Sequence, residues 1–125
     1  MSDSTQTQAV QEGDSSLISF GLIADAGDAK SLAFMALGKA KEGDFDAAGD
    51  LMGQSNDAYL RAHEKQTSLL VKEANGDHTP VDVMLVHAQD HLMGSCLARQ
   101  LIEEIIYLHK KVAELSACLD REKEA

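Results

Sequence analysis

Two histidines and a carboxylate lie within about one turn of each other in residues 87–93, which read His-Ala-Gln-Asp-His-Leu-Met. In an α-helix, residues three and four apart share a face, so His87, Asp90 and His91 would lie on one side. The stripe that contains Asp90 is otherwise aliphatic, and its members are Val83, Val86, Asp90, Met93, Leu97 and Leu101. A lone carboxylate in a buried stripe has to pair, bind a cation or take up a proton, because burying it unpaired is costly.

Four roles are open to His87 beside this acid. It could ligate a metal, although one helix offers only two or three ligands and the chain has no second His/Glu motif. It could act as a general base, but no nucleophile or oxyanion partner is visible nearby in the sequence. Neutral imidazole is nucleophilic near pH 7, so His87 could carry a phosphoryl group as a labile phosphoramidate. The fourth role is that of a core histidine hydrogen-bonded to a neighbour. The nearby Asp90 and His91 argue against this role.

The composition predicts a single all-α domain. The chain has 125 residues, of which 44% are hydrophobic and only 4% aromatic, with no tryptophan. Such a core is built from Leu, Ile, Val, Met and Ala, which suits closely packed helices. A single proline and the lack of alternating apolar and polar residues argue against a sheet.

Charge and patterning exclude several classes of partner. The net charge of −10 disfavours nucleic acid and anionic membrane surfaces, both of which attract Lys and Arg. The polar N-terminus does not resemble a signal peptide, and no apolar run is long enough to insert into a bilayer. Cys96 and Cys118 do not form a Cys-x-x-Cys pair, so we expect reduced thiols and a cytoplasmic protein.

Three long helices are expected within residues 15–119. Residues 1–14 are polar and predict a disordered tail, and residues 120–125 predict a short charged tail that frays. The first helix should begin near residues 14 to 16 and end near residue 40. Gly43 and Asp44 should end it and cap a second helix of about residues 45–74. The third should run from Pro80, with Thr79 as its cap, to about residue 119.

Short connections make these helices an antiparallel up-down-up bundle. The third helix, however, is apolar on a second face, made of Met84, Ala88, Ser95, Ala98, Ile102 and Ile105. A three-helix bundle needs about one apolar stripe per helix, so the surplus predicts self-association. In a symmetric ring Asp90 would recur near the axis, where several carboxylates could share a hard cation such as Mg²⁺.

The motif also resembles a known family. Residues 87–93 are similar to the signature of the enzyme IIA components of the lactose/cellobiose/chitobiose group, in the bacterial phosphoenolpyruvate-dependent sugar phosphotransferase system. Further similarities follow in the family's order and spacing: Gly27-Asp28-Ala29 with Ser31, Gly43-Asp44-Phe45, and Ala62-His63 with Gln66-Thr67. The resemblance covers roughly residues 16–110, and residues 85–89 are most similar to the N,N'-diacetylchitobiose branch.

The resemblance implies a phosphocarrier that assembles as a homotrimer with nine helices. His87 matches the histidine that accepts a phosphoryl group from HPr through Nε2 and passes it to a cysteine of enzyme IIB. Enzyme IIC, in the membrane, then imports the β-linked disaccharide that IIB phosphorylates. Asp90 matches the aspartate that meets its two symmetry mates around Mg²⁺. Gln89 and His91 are candidates to contact the phosphoryl oxygens or to orient His87.

One position departs from the family's pattern, and two other functions stay open. Gly94 lies where relatives commonly carry Thr, which removes a hydroxyl close to the site. A histidine phosphotransfer module of a two-component relay is the first alternative, although such modules usually keep Lys or Arg one turn from the histidine, where this chain has Asp90. The second is a non-catalytic trimeric metal-binding bundle.

Overall fold

Three long helices make up the computed structural model, which describes the backbone of residues 2–124 and the side chains of residues 16–124. Helix α1 is Ser2–Lys41, α2 is Phe45–Ala74 and α3 is Val83–Glu124. Short connections make α2 antiparallel to both α1 and α3, and the described residues contain no strand. The all-α, up-down-up architecture predicted from the sequence is therefore confirmed.

The turn between α1 and α2 follows the sequence prediction closely. Gly43 has a φ of +82°, a left-handed conformation that residues with a Cβ seldom adopt. The carboxylate of Asp44 then accepts a hydrogen bond from the Ala47 N–H at 3.1 Å and caps α2. Together these two residues reverse the chain in three positions and keep α1 and α2 adjacent.

The start of α3 differs from the prediction. The helix begins at Val83 rather than Pro80, and its cap is Asp82, whose carboxylate accepts from the Leu85 N–H at 2.8 Å. Thr79 is instead held in the connection, where its N–H donates to the Glu73 carboxylate at 3.4 Å. A carboxylate stabilises a helix N-terminus through both its hydrogen bond and the helix dipole, which explains why Asp82 replaces Thr79 as the cap.

Both predicted tails are helical where the structure describes them. Helix α1 begins at Ser2, not near residues 14 to 16, and α3 continues to Glu124 past residue 119. Neither terminal segment contains proline, and extending an existing helix avoids the cost of nucleating a new one. The bounds of α1 and α3 therefore differ from the expected ones, while the division into a domain with two tails stays a prediction. Met1, Ala125 and the side chains of residues 2–15 lie outside the described residues.

Small residues on α1 bring the three helices close together. Ala26, Ala29, Ala33 and Ala36 are fully or almost fully buried, and α1 packs along both α2 and α3. The hydroxyl of Ser55 on α2 donates to the Ala29 carbonyl at 2.6 Å. In the same way, Ser95 on α3 donates to the Ala26 carbonyl at 2.7 Å. These two buried hydrogen bonds fix the register of α2 and α3 against α1.

A hydrophobic core cluster lies behind residues 87–93. A cluster of buried residues joins the three helices there, and its members are Leu22, Ala62, Leu69, Ala88 and Leu92. Ala88 and Leu92 belong to the segment itself and anchor it to the core. The remaining faces of the segment are therefore presented on a well-packed helix.

Candidate functional site

His87 lies on the surface of α3, in the second turn of the helix. Its imidazole is exposed, whereas its neighbour Ala88 is fully buried. The ring of His91 packs edge-on against it, with the two ring centroids 4.3 Å apart and an interplanar angle of 70°. The predicted pairing of these histidines on one face is confirmed, and His87 combines an accessible ring with a rigid backbone.

Asp90 is exposed in the single chain, whereas the apolar pattern of its stripe predicted a buried carboxylate. Its neighbours in the stripe, Val86, Met93 and Leu97, are all more than half exposed as well. The stripe was predicted to be buried because it is apolar, but in one protomer no helix covers it. Asp90 therefore needs no counter-charge in a single chain, and it becomes a buried charge only where another molecule covers the stripe.

Gln89 lies away from His87. Two residues along a helix correspond to about 200° of rotation, so the two side chains leave α3 on nearly opposite sides. The amide of Gln89 donates to the side-chain oxygen of Gln66 on α2 at 2.6 Å. An open cavity of about 230 Å³ adjoins this pair, lined by Gln66, Leu69, Leu70, Glu73, Thr79, Val81, Leu85 and Gln89. Within a protomer Gln89 thus joins α2 to α3 and is not brought to His87.

Lys30 also lies beside this segment, although no sequence pattern singled it out. It comes from α1 and lines a cavity of about 140 Å³ with Asp90, His91, Gly94 and Ser95. It places a positive charge at the same cavity as Asp90 and His91. The available signal was its position between Gly27-Asp28-Ala29 and Ser31, inside a segment already matched to the family.

Gly94 leaves room in this cavity. A Cβ added at Gly94 would meet no other side chain within 4 Å. The absence of a side chain at Gly94 therefore leaves open space beside Asp90 and His91.

A single protomer does not bring together a set of metal ligands among its described side chains. Within residues 16–124, no three His, Cys, Asp or Glu side chains cluster at metal-binding distances. Asp90 alone would offer one carboxylate, and Mg²⁺ requires about six oxygen ligands. A metal at this position would take its remaining ligands from water or from further chains.

Two other polar clusters join helices away from residues 87–93. Asp25, almost buried on α1, pairs with Lys65 and Arg61 of α2. Tyr59 and Cys96 share a hydrogen bond between α2 and α3, with the oxygen and sulfur 3.5 Å apart. That hydrogen bond, followed by burial, raises the pKa of Tyr59 above its usual value of 10.0 by favouring the protonated phenol. Both clusters contribute to packing.

Hydropathy gives one finding about membranes. None of the helices in residues 2–124 contains an apolar stretch that is long enough to span a bilayer.

Comparison with known proteins gives consistent matches. Residues 17–110 match the family model described as "PTS system, Lactose/Cellobiose specific IIA subunit". The chain is 48% identical over 108 residues to the N,N'-diacetylchitobiose-specific EIIA component of Escherichia coli K12, covering 86% of this chain and 90% of that relative. It is 42% identical over 98 residues to the lactose-specific EIIA component of Streptococcus mutans, covering 78% and 94%.

Solved structures agree with the sequence matches. The cellobiose-specific enzyme IIA of Bacillus anthracis has a TM-score of 0.77 and 41% identity, covering 78% of this chain and 90% of that chain. The solution structures of the IIA(chitobiose)–HPr complex of Escherichia coli include a chain with a TM-score of 0.67 and 49% identity, covering 77% and 93%. These comparisons give no support to a two-component phosphotransfer module or to a non-catalytic metal-binding bundle.

Proposed function

Because the chain belongs to the lactose/cellobiose-specific IIA family of the sugar phosphotransferase system, and so is a phosphotransferase component, we propose that His87 is its phosphoryl carrier. The observation that supports this most strongly is the exposed His87 imidazole on a helix whose opposite side is anchored in the core. A carrier needs an accessible nucleophilic nitrogen that two successive partners can approach, and a fixed backbone for in-line attack.

The transfer needs no proton donor from this chain. The lone pair of neutral His87 Nε2 attacks the phosphorus of a phosphohistidine on the donor. The donor's P–N bond breaks as the new P–N bond forms, and the donor imidazole leaves in its neutral form. His87 keeps its Nδ1 proton throughout and becomes a phosphorylated imidazolium. Passing the group to a thiolate repeats the step with sulfur as the nucleophile, which agrees with positioning as the main requirement.

His91 and Lys30 support His87 in different ways. The edge contact at a centroid distance of 4.3 Å restricts rotation of the His87 ring, so His91 is a positioning residue. Lys30 adds a positive charge to the cavity beside His91. This charge would stabilise the dianionic phosphoryl group electrostatically. Gln89, which bonds to Gln66, acts by holding α2 against α3.

The donor is HPr and the acceptor is a cysteine of the cognate enzyme IIB. A related IIA chain is described in complex with HPr, and its identity to this chain of 49% supports the same donor here. Enzyme IIC then imports the sugar, so the chain works in the cytoplasm without entering the membrane itself. The 48% identity to a chitobiose-specific component favours a chitobiose-type disaccharide as the transported sugar.

The working form is a homotrimer with nine helices. The exposed stripe of α3 is too apolar for a solvated surface, and it runs next to a groove of about 390 Å³ between α1 and α3. The groove is lined by Lys30, Phe34, Leu37, Gly94, Leu97, Ala98, Leu101, Ile102 and Ile105. Parallel copies of α3 around a threefold axis would cover the stripe and fill the groove.

This arrangement fits one Mg²⁺ on the axis. Asp90 lies in the middle of the stripe, so three copies would bring three carboxylates together, and carboxylate oxygens are the ligands that Mg²⁺ prefers. When bound, the ion would neutralise carboxylates that otherwise repel one another in a buried setting. Asp90 is the ligand that each chain would supply.

A phosphotransfer assay tests the carrier. The protein is incubated with phosphoenolpyruvate, enzyme I and HPr, and the label is mapped by mass spectrometry under alkaline conditions that preserve phosphohistidine. Label should appear on His87, be lost in His87→Ala and drain when IIB is added. His63→Ala is the matched control, because His63 is also an exposed helical histidine. Label that persists in His87→Ala would refute the assignment.

A further inference from the structure

The C-terminal part of α3 extends beyond the rest of the molecule. The hydrogen bond between Ser95 and Ala26 sets the parallel register of α3 and α1, so Lys41, the last residue of α1, lies level with roughly Lys110. Residues 111–124 therefore continue past the α1–α2 turn, and all of them are exposed. Fourteen residues at 1.5 Å each give an extension of about 21 Å.

This extension carries an uncovered apolar stripe. Val112, Leu115 and Leu119 are 60%, 63% and 58% exposed. Their spacing of three and four residues is the a/d spacing of a coiled coil. Because α3 is one continuous helix to Glu124, the extension cannot fold back on its own protomer to cover them.

The stripe of the extension continues the stripe of the domain. At 100° per residue, the exposed apolar residues of both stripes lie within the same third of the helix circumference. In order they are Val83, Val86, Met93, Leu97, Leu101, Ile105, Leu108, Val112, Leu115 and Leu119. The family model matches residues 17–110, so the last three residues of the stripe lie beyond the stretch that it matches.

We propose that residues 111–124 pack in parallel against the same segment of two further copies, as a three-stranded coiled coil that extends the subunit interface. The proposal rests on the trimer proposed above. A threefold axis that covers residues 83–108 runs along α3, and it would bring the extensions of the three copies together with their stripes facing inward.

Charge is compatible with self-association at this end. The whole chain has a net charge of −10, but residues 111–124 contain three basic and four acidic side chains. The copies would therefore repel one another little there. Residues that flank the stripe and face a neighbouring copy in a parallel arrangement pair Glu104 with His109 and Lys111 with Ser116, so no like charges oppose each other at these flanking positions. Glu122 follows Leu119 at the same a/d spacing, so the apolar contacts between the copies end at Leu119.

Cysteine cross-linking tests the arrangement. In a Cys96→Ala/Cys118→Ser background, Leu115→Cys places a thiol on the stripe. The matched control Ala117→Cys places one two residues away, on the opposite side of the same exposed helix. Under mild oxidation, Leu115→Cys should form disulfide-linked dimers at least ten times faster than Ala117→Cys. Equal rates, or no cross-link in a protein that sediments as a trimer, would overturn the proposal.

A second pair of variants measures the contribution to assembly. Leu115→Asp should weaken trimer formation at least tenfold in sedimentation equilibrium, whereas Ala117→Asp should leave it unchanged. A monomeric wild-type protein would also overturn the proposal. Leu115→Asp and Ala117→Asp should still accept a phosphoryl group on His87, because both positions lie more than 20 residues from it. Loss of label from the wild-type protein would refute the carrier function instead, and the cross-linking result would stand separately.

Discussion

Leu92 and Met93 are adjacent in sequence but face different surroundings, and truncating each to Ala should separate the protomer core from the subunit interface. Leu92 is 4% exposed and belongs to the core cluster behind the histidine pair, whereas Met93 is 66% exposed on the stripe of α3. Leu92→Ala should lower the stability of the protomer itself. Met93→Ala should mainly weaken association between protomers.

The structure gives the magnitudes. The neighbours of Leu92 include Ala62 and Ala88, small residues that cannot move in to fill a cavity, so Leu92→Ala should reduce the free energy of unfolding by about 3 kcal/mol. Fully burying a Met side chain contributes roughly 1.5–3 kcal/mol, and about two thirds of Met93 remains to be buried. Met93→Ala should therefore reduce the free energy of association by about 1–2 kcal/mol per protomer.

Urea unfolding at several protein concentrations, combined with sedimentation equilibrium, distinguishes the two effects. Leu92→Ala should lower the urea midpoint at every concentration. The effect of Met93→Ala should shrink on dilution below the dissociation range of the trimer, because association stabilises by mass action. Leu92→Met, which conserves volume, is the control and should lose less than about 1.5 kcal/mol. The reasoning fails if dilute Met93→Ala is destabilised as much as Leu92→Ala.

Three further predictions concern charge, backbone and pH. Asp90→Asn should abolish any Mg²⁺ dependence of trimer stability, and an unchanged dependence in melting curves with and without EDTA would refute the axial site. Gly53→Ala should raise the free energy of unfolding by roughly 0.5–1 kcal/mol, since Gly53 is an exposed helical residue with free space for a Cβ. Gly43→Ala should lower it instead, because Gly43 has a φ of +82°. The hydrogen bond with Cys96 and burial raise the pKa of Tyr59 above 10.0 in the folded protein, so their stabilisation is complete below about pH 10 and is lost as the pH rises further. Ultraviolet titration should show a late tyrosine step that Tyr59→Phe removes.

Local signals in the sequence were sufficient for much of the fold. Gly43 and Asp44 predicted the first turn correctly because backbone conformation and capping depend on residues that are close in sequence. The helix start at Val83 was predicted less well, because Thr79 and Asp82 are both acceptable caps. In the structure Asp82 caps the helix through the Leu85 N–H, while the Thr79 N–H donates to Glu73 at the end of the preceding helix.

The same distinction applies to the candidate site. The spacing of His87, Asp90 and His91 determined that they share one side of α3, because the angle between residues follows from the helix repeat. Which side chains of α1 and α2 lie beside each of these residues depends on the rotation and register of the helices. The hydrogen bonds of Ser55 and Ser95 to α1 fix that register. Tertiary structure alone therefore directed Gln89 to α2, brought Lys30 of α1 into the cavity beside the histidine pair, and left the stripe around Asp90 uncovered in a single chain.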